Sequence, residues 1–471
     1  MKQSTTRAVL RYFPKAVLPL RGFSWQVDTL YGRQLPEDYS ADLRKSVAEA
    51  INEAFRRGSA AHPNPLDRIV EALSKKYGIE AAPMGLWVDE KKVDIIVPEK
   101  GLLALWPPTF YCDNCKTFYY LPKEPIARCV ECGRSQFVQL TFIHVCAECS
   151  RYLPAKPPQK MARYDNRGFF MCEKCGRGKI CIDVKRRRLS ASRWQCSNCG
   201  AEEKLMAYCT HWYGGQPQLL PMQLKLTEWD PIKPAIISGV YVRGNRIEKA
   251  IADGKLTPYV YANRVLRSEE LHHLEGIFGV DTENLLLLRD VTAVICAYGY
   301  SSGIHAMVRF FEEASGRGTK YKAYASINEG NAIYVKMKLS EDLNRPYNGR
   351  YSKRFVFLHT AEHALTKACH LLAGVQEGAF MGKVFPDSDA IIIYEAAGSE
   401  QGGLEYIFKH RLAQLFTEAL RLLLTCKYDC GKACPGCIYV RDPLCHPTSG
   451  YFVPNDGLDR KLVLEKWMSS R

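Results

Sequence analysis

The stretch Phe110–Gly133, FYCDNCKTFYYLPKEPIARCVECG, holds two Cys-x-x-Cys pairs, Cys112/Cys115 and Cys129/Cys132, set among aromatic strand residues. Each pair brings two thiolates to one face of a tight turn, and two such knuckles complete a tetrahedron around zinc. Spacing and flanking residues together predict a zinc ribbon. A segment this short and polar builds no apolar core of its own, so the metal replaces one.

The rest of the cysteine pattern extends this reading. Nineteen cysteines occur in 471 residues, too long a chain for a disulfide-stapled miniprotein, and its opening residues are not expected to be a signal peptide. Further pairs stand at Cys146/Cys149, Cys172/Cys175 and Cys196/Cys199, with Cys181 and Cys209 alone. Cys172/Cys175 closes with Cys196/Cys199 as a second ribbon, or with Cys146/Cys149. In the latter case Cys196/Cys199 joins Cys209, with or without His211. His144 and His211 are both available as substitutes for a thiol. Cys296 and Cys369 sit in apolar surroundings and read as plain core. A four-thiolate zinc site has no position left for water, so these sites are expected to be structural.

A net charge of +15 points to a polyanionic partner, most simply nucleic acid. Between the later knuckles lies DVKRRRLSASRW (Asp183–Trp194). There Lys185, Arg186, Arg187, Arg188 and Arg193 are candidate phosphate contacts, with Trp194 or Phe170 available to stack on a base. The competing reading is a solvated hairpin loop. No run of eighteen apolar residues is present, so no membrane span is expected and the cytoplasm is the default.

Around the cysteine-rich segment the chain alternates helical and strand patterns. DYSADLRKSVAEAINEAFRRG (38–58) and LDRIVEALSKKYG (66–78) read as amphipathic helices. SEELHHLEGIFG (268–279) is another helix and NAIYVKMKL (331–339) a strand, and LLLLRDVTAVICAYGY (285–300) belongs to the same alternation of strand-like and helical pieces. The expected class is a multi-domain α+β fold, with zinc-ribbon modules inserted between a mixed N-terminal region and an α/β C-terminal zinc-binding domain. The expected boundaries are 1–105, 106–215, 216–350 and 351–471. HTAEH (His359–His363) fits a zinc-protease pattern with Glu362 as base, but no third ligand is evident, and packed histidines are the simpler expectation. No Walker A loop occurs, so ATP hydrolysis is not expected of this chain.

The last 120 residues carry FLHTAEHALTKA (357–368), AIIIYEAAGSEQGGLEYIF (390–408), CGKACPGCIYVRDPLCHP (430–447) and NDGLDRKLV (455–463), in that order. Together they resemble the zinc-binding domain at the C-terminus of MrfA-type helicases and of DrmB-like proteins from DISARM or DISARM-related anti-phage systems. FVQLTFIHVC (137–146), LLLLRDVTAVICAYGYSS (285–302) and INEGNAIYVKM (327–337) are similar to further DrmB segments. The resemblance implies Cys430, Cys434, Cys437 and Cys445 as zinc ligands, with Cys426 or His446 as possible replacements. It treats HTAEH as a scaffold helix. It also implies a non-catalytic DNA-associated subunit serving a separate SF2-type (DrmA-like) helicase, with three to four zinc ions in all. The other readings are a zinc hydrolase built on His359, Glu362 and His363, or an RNA-binding zinc-ribbon protein.

Overall fold

Successive side chains of a strand point to opposite faces, so a run of four leucines fits only a strand buried on both sides. Leu285–Leu288 is such a run. Leu285 and Leu287 enter one apolar core, and Leu286 and Leu288 enter another on the opposite face. They belong to the strand Val280–Ser302 in a computed structural model that describes residues 12–468. Residues 57–87, 121–127, 184–190, 441–454 and several shorter stretches lie outside the described part. The expected helix at 66–78 falls among these.

This strand pairs antiparallel with Ile232–Val242 and with the central strand Gly318–Met337. The central strand also takes Arg309–Ser315 and Ala390–Glu395 as antiparallel partners, and Val93–Leu105 as a parallel one. Val17–Leu20 and Phe23–Gln34 follow beyond Val93–Leu105, so eleven strands among the described residues form one sheet. Three segments that the sequence separates (1–105, 216–350 and 351–471) therefore share this sheet. Composition marks linkers, but it does not show that Tyr321–Tyr324 pairs with Val93–Ile96 from more than two hundred residues earlier.

Helices cover both faces. Leu43, Val47 and Ile51 of the helix Glu37–Arg56 pack on Ile95, Ile237 and Val294, and Cys296 is core there as expected. On the other side lies the helix Lys353–Ala373, which carries HTAEH and is called the histidine helix below. Its residues from Phe355 to Thr366 are all buried, as in a helix enclosed by its own protein. Ser352 Oγ accepts the Phe355 N–H to start it, and Gly374 ends it in the left-handed conformation. The helices Gly403–His410, Leu412–Leu424 and Arg460–Met468 pack around it. Cys369 is core, again as expected. Among the described residues no helix is long and apolar enough to cross a membrane.

The segment between Leu105 and Ile232 forms small sheets of its own and joins the large one at the strand Phe23–Gln34, where Ser24 and Gln139 exchange hydrogen bonds and Phe23 packs on Phe110. Among the described residues it holds five sheets of two or three short strands, such as Thr109–Cys112 with Phe118–Tyr120 and Phe137–Gln139. Sheets this small are marginal in water by hydrophobic packing alone. The architecture is α+β, with zinc-ribbon-like modules inserted into the strand order.

Candidate metal centres

The first ribbon gathers Cys112, Cys115, Cys129 and Cys132, and the second gathers Cys172, Cys175, Cys196 and Cys199. Of the two pairings the sequence leaves open, the structure brings together the ribbon formed by 172/175 with 196/199. In the first ribbon Sγ atoms lie 3.7 Å apart (Cys112 to Cys132) and 3.9 Å apart (Cys115 to Cys129). In the second the separations are 3.8 Å (Cys172 to Cys199) and 3.7 Å (Cys175 to Cys196). A disulfide would need about 2 Å. A zinc tetrahedron with Zn–S bonds near 2.3 Å has edges of about 3.8 Å. The donors fit zinc.

Backbone geometry prepares the thiols. Three of the four ribbon knuckles read Cys-x-x-Cys-Gly, and Gly133, Gly176 and Gly200 all adopt positive φ, where a Cβ would be strained. Their N–H groups bond back to the carbonyls of Cys129, Cys172 and Cys196, which closes each turn. Backbone N–H groups at Arg134 and at Arg177 hold the thiols of Cys132 and Cys175 down to about 6. Burial pushes Cys115 and Cys172 the other way, to about 12 and about 11. The protein thus favours the thiolate at Cys132 and Cys175, and at Cys129 as well, while Cys115 and Cys172 need a cation to ionise. Tyr119 donates to Cys129 Sγ at 3.2 Å and supports it from outside the tetrahedron.

The C-terminal cluster contains Cys426, Cys430, Cys434 and Cys437, with Sγ separations of 3.4 Å to 3.8 Å. Cys445 lies outside the described residues, and four thiols are already assembled without it. Cys426, just past the helix Leu412–Leu424, supplies the fourth. Its spacing, one helical turn before Cys430, is the sequence signal for it. The Cys430 N–H holds the Cys426 thiol down to about 6.

Polar groups of two helices grip the backbone of this knuckle. His363 Nδ1 donates to Ile438 O at 3.0 Å, and Lys367 Nζ donates to Cys437 O at 2.7 Å. Arg460 Nε donates to Cys430 O, and its Nη1 to Leu423 O, each at 3.0 Å. His359 Nδ1 donates to Gly457 O at 3.3 Å. Lys367 and Arg460 were not singled out from the sequence. Lys367 follows His363 by four residues and so shares its helix face, which is the signal that could have found it.

His359, Glu362 and His363 place one ligand atom each within 4.8 Å of one another, and all three are buried. Burial pushes the Glu362 carboxyl up to about 7 and His363 down to about 4, so both favour their neutral forms. Thr366 donates to Glu362 at 2.9 Å. The strand Phe380–Phe385 crosses directly above. A Cβ on Gly382 would fall within 1.8 Å of Glu362 Oε1, so any larger residue there would displace the Glu362 carboxyl.

The candidate phosphate contacts divide. Lys185, Arg186, Arg187 and Arg188 lie outside the described residues. Arg193 is exposed and pairs with Glu202 at 3.0 Å. Trp194 and Phe170, expected as stacking platforms, are instead buried in the second ribbon's core beside Ile180 and Ile182. Trp194 alternates with outward Arg193 and Gln195 on its strand, and an indole turned inward is worth more as core than as exposed surface.

A family model described as a domain of unknown function, DUF8724, matches residues 7–225. No curated protein matches. Among solved structures, the DUF1998 helicase MrfA bound to DNA is similar at 11% identity with a TM-score of 0.28. That match covers 70% of this chain and 38% of the helicase, so this chain spans well under half of the helicase's length.

Proposed function

We propose that this chain is a non-catalytic, zinc-binding, DNA-associated accessory subunit that binds a separate SF2-type helicase and acts in anti-phage defence. The observation that carries the reading is how the polar groups of the C-terminal region are used. His363, Lys367 and Arg460 hold the backbone of a closed four-thiol knuckle, as expected of a scaffold. The +15 charge supports a nucleic-acid partner, and ATP hydrolysis belongs to the helicase.

Purified alone and with a helicase encoded beside it, the chain should show no ATPase by itself, a stable complex, and DNA-stimulated hydrolysis only in the complex. DNA affinity should fall steeply with salt. A salt-insensitive affinity, or ATPase in the lone chain, would overturn the reading. The second reading, a zinc hydrolase, is favoured by one observation, the closeness of His359, Glu362 and His363. Peptide cleavage that disappears in His359→Ala, together with loss of one zinc, would establish it instead.

A further inference from the structure

One cysteine cluster differs from the others. Cys146 directly follows the strand Phe142–Val145, while Cys209 and His211 lie two apart on Tyr208–Tyr213 and therefore face the same way. Their ligand atoms lie within 4.8 Å of one another, with Cys146 Sγ 3.1 Å from His211 Nε2. All three are buried, at 2%, 3% and 2% exposure. His144, two residues before Cys146, is buried as well, but it is not part of the cluster.

The surroundings argue that this is more than a packing contact. The local apolar cluster consists of Cys146, Cys209 and Met222, with only Leu153 and Ala207 partly buried against it. Those side chains are too few to hold two separate sheets together, yet this is where the sheets meet. One is the hairpin Tyr208–Tyr213/Gln216–Pro221. The other joins Phe142–Val145 to Tyr152–Pro154 and Gln223–Leu226. Two thiols and an imidazole brought within 4.8 Å of one another are a donor set for zinc, and a shared ion would tie the two sheets where so little apolar surface does.

We propose that Cys146, Cys209 and His211 bind a fourth zinc ion. Cys149 lies outside the described residues. The donors among the described residues are two sulfurs and one nitrogen. On binding, the two thiols release their protons to the solvent and the imidazole binds through neutral Nε2. The ion ties together strands 65 residues apart and closes the base of the insertion. This site does not depend on the helicase-partner reading, and its zinc count is independent of any DNA or ATPase result.

The test is metal content of the full chain after dialysis against a weak chelator, by elemental analysis and native mass spectrometry. The expected count is four zinc ions, one beyond the three four-thiol clusters. His211→Ala and Cys209→Ser should each leave three. His211→Cys should restore four, and X-ray absorption should then lose the nitrogen component present in the wild type. Three ions in the wild-type chain, or four in His211→Ala, would mean that Cys146 and His211 share only a thiol–imidazole hydrogen bond, and the proposal falls. If His211→Ala does not fold, an unchanged nitrogen signal in His211→Cys overturns it equally.

Discussion

The inserted ribbons and the large sheet solve the same problem with different materials. In the sheet, Leu285 to Leu288, Ile333, Val335 and Ile391 to Ile393 bury apolar area on both faces, and helices seal the result. In the ribbons the apolar clusters are smaller, and each includes cysteines of its own metal cluster. The sheet's stability is therefore spread over many side chains, while each ribbon's is concentrated in one coordination sphere. The histidine helix belongs to both regimes. One side packs on the sheet, and another holds the carbonyls of the C-terminal knuckle.

The comparison can be broken most severely by removing metal. Structural zinc contributes on the order of 10–16 kcal/mol per site. Chelation should therefore abolish amide protection across residues 109–213 while Val280–Ser302 and Gly318–Met337 stay protected in hydrogen exchange. Simultaneous loss in both regions would show that the two do not fold separately. Next in size is the converse change. Leu287 is fully buried, so Leu287→Ala should cost about 2–5 kcal/mol in denaturant unfolding and leave the zinc count unchanged.

Glu362→Gln sharpens the comparison at the junction. Burial raises this carboxyl from 4.5 to about 7, so the folded state holds the proton more tightly than the unfolded state. Its contribution is fully favourable below about pH 4.5, declines as pH rises, and becomes a constant penalty above about 7. A glutamine stays neutral and carries no such penalty. The variant should therefore be more stable than wild type at pH 8, by up to about 3 kcal/mol, and nearly equal at pH 5. Equal melting temperatures at both pH values would show that Glu362 does not titrate as its burial requires.

Smaller effects follow on the metal side. Lys367→Met leaves the Cys437 carbonyl without its Nζ partner, at a cost of about 1–3 kcal/mol. In a zinc-competition titration the C-terminal site should be released before the two ribbons. Least of all, Arg193→Ala removes an exposed ion pair worth about 0–1 kcal/mol. If Arg193 contacts a phosphate, its loss should lower the salt slope of DNA binding by about one. An unchanged slope would restrict any phosphate contact in that segment to other residues.

The limits of sequence reading follow the same division. Ribbon ligands were legible because a knuckle is local: two thiols three residues apart, often closed by a glycine, fix their own geometry. The first ribbon needed nothing more. Pairing between knuckles was not legible, because Cys172/Cys175 has the same local form whichever partner it takes. Trp194 was misplaced because an aromatic residue beside arginines looks the same in sequence whether it faces a base or a core. Cys426 was noticed but not chosen, since only the packed end of the helix Leu412–Leu424 brings its sulfur to the cluster.

The sequence alone determined the α+β class and the cysteine-rich insertion from patterns repeating within a few residues, while the histidine helix was implied by the resemblance. Only the tertiary structure decided that the N-terminal strands join the C-terminal ones through a parallel pairing on the central strand. Only it decided, too, which thiols meet, and that His363, Lys367 and Arg460 are committed to one knuckle's backbone. The physical reason is range. Strand alternation, helical periodicity and knuckle spacing are properties of short chain segments. Sheet order and shared coordination depend on contacts between residues tens to hundreds apart, where local pattern carries no register.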